Sequence, residues 1–270
     1  IQVSYLGYPS TMAADYMDYL IADKIIIPED KKQYYSEKIV YMPNSYQVNV
    51  TERSVSETSI TRNDFDLPKK GFVFCCFNNN YKITPSIFSG WMRILKAVDN
   101  SVLWLFESNK IASKNLIKEA KKFGINNDRL IFAKYTTVEE HLNRIKLADL
   151  FIDTLPCNAH TTTSDALRMG LPVLTCIGNS FAGRVAASLL NSVNLPELIT
   201  TTQEQYETLA IELAMYPKKL DTIKKKLLKN LSRTSLYNTP LFANHLETAY
   251  LKMYDMHQKG LKPDHIYAKD

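Results

Sequence analysis

From Gly71 onward, apolar runs of strand length alternate with segments of helical period, and that alternation leaves few folds open. "GFVFCCFN" leads to "SIFSGWMRILKAV", "SVLWLFE" to "NLIKEAKKFG", "RLIFAK" to "VEEHLNRIKLA", and "DLFIDT" to a helix around "SDALRMG". "LPVLTCIG", "FAGRVAASLLNSV", "ELIT" and a long helical region from Gln203 complete the series. Strands apolar at nearly every position need cover on both faces, which a parallel sheet between two layers of helices provides. The expected class is therefore α/β, doubly wound and Rossmann-like.

The first 60 or so residues differ. "QVSYLGYP", "DYLIADKIIIP" and "SEKIVYMP" read as strands of a second α/β sheet, too few to close a core of their own. They look like the tail of an earlier domain, followed by a polar linker over residues 49 to 64. The first residue is Ile1, so the expectation is a fragment whose upstream half is missing. Residues 65–240 are expected to hold the main Rossmann-like domain. Residues 241–270 are read as an amphipathic helix closing at Gly260 and a short tail.

Charge narrows the possible partners. The chain has 33 basic and 28 acidic residues, a net +5 spread along its length, which suits a small phosphate-bearing ligand better than a nucleic-acid duplex. The lysine run from Lys218 alternates with Leu220, Ile223, Leu227 and Leu231 at helical spacing, so a solvated helix face accounts for it. Cys75, Cys76, Cys157 and Cys176 follow no zinc or disulfide pattern, which fits a reducing, cytoplasmic setting with no metal or other cofactor. Apolar runs are too short for a membrane span, and the sequons at Asn49 and Asn230 are read as chance matches.

In a doubly wound sheet, ligands bind beyond the carboxyl ends of the strands, and three loops there carry chemistry. "CFNNNYKITP" offers amides and a single cation, Lys82, which serves either as a diphosphate contact or as an ordinary surface lysine. "LPCNAHTTTSD" carries His160, Thr161 and Thr162 into a helix with Asp165 three residues on. That pattern fits either a capping box or an anion site on free amides backed by the helix dipole, with Asp165 taking sugar hydroxyls. In "TTVEEHLNRIKLAD", Val138, Leu142, Ile145 and Ala148 share one face, leaving His141 and Arg144 on the other. Those two form either a base-stacking site or plain helix surface. Neither GxGxxG nor a P-loop occurs, so hydride transfer and ATPase chemistry lose support.

Several long motifs resemble the catalytic region of the protein O-linked N-acetylglucosamine transferases, glycosyltransferase family 41. They include "YLGYPSTM", "FCCFNNNYKITPSIF", "LADLFIDT", "PCNAHTTTSDAL", "GLPVLT", "FAGRVAASLL" and "KGLKPDH". The resemblance implies a GT-B fold and inverting, metal-independent transfer of N-acetylglucosamine from UDP-GlcNAc to a serine or threonine hydroxyl. The acceptor would be a protein or peptide, selected by tetratricopeptide repeats upstream. Carried over by motif, Lys82 corresponds to the lysine that stabilises the UDP leaving group, and His141 to the histidine stacked on uracil, with Arg144 one turn on. Thr161 and Thr162, preceded by His160, correspond to diphosphate contacts, Asp165 to the ribose acid, and Gly7 and Pro9 to the loop near the sugar. The family's candidate general bases lie upstream of Ile1.

The sequence departs from the animal pattern at three places. Asn79 stands where those enzymes have a donor-contacting glutamine, Ala159 stands for glycine, and Val138 replaces a lysine beside the base. No intervening domain fits between "MP" and "TRNDFDLP", a compactness that looks bacterial. Alternatives are a different donor within the family, GDP-fucose or UDP-glucose, or an inactive nucleotide-binding or interaction module. The isolated fragment is expected to transfer no sugar.

Overall fold

The computed structural model describes residues 1–269 and contains two parallel sheets. The first is built from β1 (Val3–Ser4), β2 (Tyr19–Ala22) and β3 (Lys38–Tyr41). The second comprises β4 (Phe72–Cys76), β5 (Ser101–Phe106), β6 (Leu130–Ala133), β7 (Leu150–Ile152), β8 (Val173–Cys176) and β9 (Ile199–Thr200). Around them lie α1 (Pro85–Ala97), α2 (Lys110–Lys122), α3 (Val138–Ile145), α4 (Thr161–Arg168), α5 (Val185–Ser192), α6 (Gln203–Met215), α7 (Pro217–Leu231) and α8 (Thr239–Gln258). The chain ends on β10 (Ile266–Tyr267).

The second sheet has the order β6-β5-β4-β7-β8-β9, so the chain steps outward on one side of β4, then returns to its other side. Strand order reverses between β4 and β7, and the loops that leave these neighbours diverge to open a crevice at their carboxyl ends. Helix starts are set locally. Thr84 caps α1 with Pro85 at the first turn, Asn109 caps α2, and Thr137 with Glu140 forms a capping box on α3. Trp91, Trp104, Phe74, Phe151 and Tyr206 fill the centre and are almost wholly buried.

The terminal tail does more than extend the last helix. β10 pairs in parallel with β3, placing Ile266 opposite Val40, and α8 covers the same sheet. Tyr19, Ile21, Val40, Met42, Ala249, Met253 and Ile266 form a small core there. The opposite face, with Leu20, Ala22, Ile39 and Tyr41, merges with the main core. Segments near the two ends of the chain thus share one sheet, a pairing about 226 residues apart in sequence that periodicity does not reveal.

The two sheets meet through a buried carboxylate. Asp23 accepts from the Ile25, Ile26 and Tyr46 amides and from Ser188 Oγ on α5 at 2.6 Å. Arg184 adds a bond to the Ile25 carbonyl at 2.8 Å. The stretch expected as a loose linker is pinned as well. Arg168 donates to the carbonyls of Val50 and Thr51, Asn143 to that of Thr58, and Ser164 to the Asn49 side chain.

Replacing Ile266, 4% exposed, by alanine is expected to cost about 2–4 kcal/mol of stability, the usual penalty for a cavity in a core. Urea unfolding of the variant measures it. A loss under about 0.5 kcal/mol would show that the tail strand is not integral to the fold.

Candidate functional site

The site is assembled around Asp153, the residue following β7, which is 1% exposed. Its Oδ1 accepts from the Thr154 and Ala159 amides, each at 2.7 Å, and from Asn78 Nδ2 at 3.3 Å. Its Oδ2 accepts from Thr175 Oγ1 on β8 at 2.7 Å, and its carbonyl accepts from the Tyr206 hydroxyl. Burial pushes this carboxyl up to about 6, against the pull of the bonds from Thr175, Ala159 and Thr154 and of the Lys82 charge. The loops after β4 and β7 and strand β8 are thereby fixed relative to one another. Gly183 makes the close packing possible, because a Cβ there would lie 2.7 Å from the Pro156 carbonyl oxygen.

Lys82 and the start of α4 come together as the spacing implied. Lys82 Nζ donates to the Asn158 carbonyl at 2.7 Å, and the hollow it faces is also lined by Asn79, His160, Thr161 and Thr162. No side chain caps α4, whose N-cap residue is His160. The expected capping box between Thr162 and Asp165 does not form. Thr162 Oγ1 instead donates to Asn78 Oδ1 at 2.7 Å, and Asp165 pairs with Arg53. An uncapped helix start beside an ammonium leaves backbone amides and the positive end of the dipole directed at one place, which suits an anion.

His160 Nε2 lies 3.3 Å from the Ala182 carbonyl, which can only accept, so Nε2 carries the proton. Burial and the Lys82 charge push this imidazole down to about 4. Ala159 is fully buried and is not among the residues with positive φ, so its methyl group introduces no backbone strain. Asn79 is exposed at the rim. Its neighbour Asn78, 3% exposed and bridging Asp153, Thr154 and Thr162, is the asparagine that organises this loop, and nothing in "NNN" marked it out.

A second hollow of about 310 Å³ adjoins the first and shares Phe77, Phe106 and Thr161 with it. His141 and Arg144 form part of its wall, although Arg144 is only 4% exposed rather than on an open helix surface. Arg144 Nε donates to His141 Nδ1 at 3.0 Å and Nη1 to the Lys134 carbonyl at 2.7 Å. Phe77 meets the His141 ring edge to face at 5.1 Å. Burial, then the Arg144 charge, pushes His141 down to about 4, so a neutral, rigid imidazole faces the hollow. Val138, expected on the core face of α3, is 54% exposed at the hollow's mouth, since α3 begins there before reaching the core.

Asp165 and Arg53 separate this hollow from a third, which Leu6, Gln47 and Arg168 also line. Arg53 was missed because the polar stretch around it carries no periodicity. From the loop after β1, Leu6 reaches a cavity wall, whereas Gly7 and Pro9 are not on the walls of these hollows. All four cysteines are free.

Two facing α/β sheets, with a phosphate-suited helix start at the switch point of one, define a GT-B glycosyltransferase architecture. A solved O-GlcNAc transferase mutant of Thermobaculum terrenum superposes with a TM-score of 0.84 and 28% identity, over 96% of this chain and 49% of that one. Sucrose-phosphate synthase of Thermosynechococcus elongatus, 12% identical over 88% of this chain and 59% of that one, shares the fold with a TM-score of 0.60. The sequence profile of glycosyl transferase family 41 matches residues 1–56 and 47–246, and the chain belongs to that family. Among curated relatives, SEC of Arabidopsis thaliana, a probable UDP-N-acetylglucosamine–peptide N-acetylglucosaminyltransferase, is 36% identical over 98% of this chain and 28% of its own length. The UDP-N-acetylglucosamine–peptide N-acetylglucosaminyltransferase of Caenorhabditis elegans is 32% identical over 76% of this chain and 18% of its own. The chain therefore spans less than a third of these curated relatives.

Proton NMR of the imidazole Cε1–H signals is expected to show His141 and His160 neutral down to about pH 5, with midpoints near 4. Midpoints near the ordinary value of about 6.5 would mean that both rings are far better hydrated than this site allows.

Proposed function

We propose that this chain carries the donor site of an inverting glycosyltransferase that moves N-acetylglucosamine from UDP-GlcNAc to serine or threonine hydroxyls of proteins. One observation carries the reading: Lys82, Thr161 and Thr162 converge on one hollow at the uncapped start of α4, beside a second hollow walled by His141 and Arg144. A nucleoside diphosphate has the same two parts in the same order. Its phosphates sit between Lys82 and the α4 amides, its ribose reaches Asp165, and its uracil lies against His141. Thr161, common to both hollows and to the third, marks their junction.

The acceptor oxygen attacks the anomeric carbon as the bond from that carbon to the diphosphate breaks, inverting its configuration and releasing the hydroxyl proton to a general base or to solvent. Negative charge grows on the departing phosphate oxygen. Lys82, already held by the Asn158 carbonyl, and the α4 dipole are in place to meet that charge without rearrangement. The neutral His141 is a stacking surface rather than a phosphate ligand at physiological pH.

Relatives named as peptide N-acetylglucosaminyltransferases support the donor and a protein acceptor. Upstream tetratricopeptide repeats belong to the same reading. Three buried thiols, Cys75, Cys76 and Cys176, unpaired in the fold, suit a reducing, cytoplasmic compartment. No helix among the described residues is long and apolar enough to cross a membrane.

Lys82→Met keeps the aliphatic stem and removes the charge. In the intact protein it is expected to lower kcat for transfer from UDP-GlcNAc by about 10²- to 10³-fold while weakening UDP binding less than about tenfold. Steady-state kinetics with a peptide acceptor measure the first, calorimetry the second. Unchanged kcat would remove Lys82 from the chemistry.

A further inference from the structure

The stretch from residue 49 to 61 crosses the mouth of the proposed donor site as a strap, and one of its side chains enters the site. Arg53 Nη1 lies 2.8 Å from Asp165 Oδ1, with the arginine side chain 30% exposed and the aspartate 12%. Both residues line the hollow that holds His141 and the one that holds Leu6 and Gln47. Among the described residues no hydrogen bond reaches Asp165 Oδ2, and Nη1 is the only Arg53 side-chain nitrogen that is bonded. The other nearby cation is already committed. Arg168 donates to the strap carbonyls of Val50 and Thr51 and stacks over the Tyr237 ring at 4.0 Å.

We propose that Arg53 is a positioning residue for donor recognition, holding Asp165 through Oδ1 so that Oδ2 is presented to the ribose hydroxyls of a nucleoside diphosphate. The inference rests on the reading of Asp165 as the ribose acceptor. A carboxylate has about four acceptor positions, so one guanidinium bond leaves room for two hydroxyls. Burial raises the Asp165 pKa, and the charges of Arg53 and then Arg168 oppose it. Without Arg53 the side chain loses its hydrogen-bonded cation and its fixed rotamer, and becomes a weaker, mobile acceptor. The strap is thus part of the binding site, tied to α4 at Ser164 and Arg168 and to α3 at Asn143.

The test compares UDP with 2′,3′-dideoxy-UDP, by calorimetry, on the intact wild-type protein and on Arg53→Met and Arg53→Lys. Hydrogen bonds to a charged group predict that the wild type prefers UDP by about tenfold or more. In Arg53→Met the preference should fall below about threefold, and in Arg53→Lys, which keeps one charged donor, it should return to at least about fivefold. A strap that merely loosened would weaken both nucleotides in proportion and leave their ratio unchanged, so an unchanged ratio in Arg53→Met overturns the inference alone. Equal affinities in the wild type would overturn the ribose role of Asp165 and this inference with it. Failure of UDP to bind the wild type would overturn the proposed function itself.

Discussion

The buried carboxylate of Asp153 is the constraint on which the site depends. It stands where β7 ends, next to the reversal of strand order, and accepts from the loop after β4, from its own loop and from strand β8. Asn78 belongs to the loop of Lys82, Ala159 to the approach to α4, and Thr175 to β8. A single acceptor surrounded by donors from two loops and a neighbouring strand converts a divergent crevice into a fixed cradle. Burying it is costly, as its raised pKa shows, and the cost is met by hydrogen bonds rather than by an ion pair.

From this hub the chemistry follows by geometry. Asn78 passes the constraint to Thr162 on α4, and the Asn158 carbonyl passes it to Lys82. The two halves of the proposed anion site, ammonium and helix start, are therefore ordered by the same network. Preorganised charge of this kind is what a leaving diphosphate requires. Around it, the Arg144–His141 pair and the strap that carries Arg53 both line the neighbouring hollow.

Much of this was legible in the sequence, for a definite reason. Apolar runs from "GFVFCCF" to "LPVLT" report burial on both faces directly, and strand ends in such sheets are where ligands bind. Lys82, His160, Thr161 and Thr162 were accordingly found together. Long-range partners were not legible. Whether Asp165 caps its own helix or pairs with a residue 112 positions earlier depends on where the linker runs, and polar residues without period give no hint of that. The same limit hid the pairing of β10 with β3 and the role of Asn78 in tying its loop to Thr154 and Thr162. Val138 kept the right spacing for a core face but falls on the first turn of α3, outside the packed layer.

The most direct test of the central claim is a crystal structure of the protein with UDP bound. The account predicts phosphate oxygens within hydrogen-bonding distance of Lys82 Nζ and of Thr161 and Thr162 at the start of α4, with the uracil ring against His141. UDP bound elsewhere, or phosphates turned away from the start of α4, would contradict it.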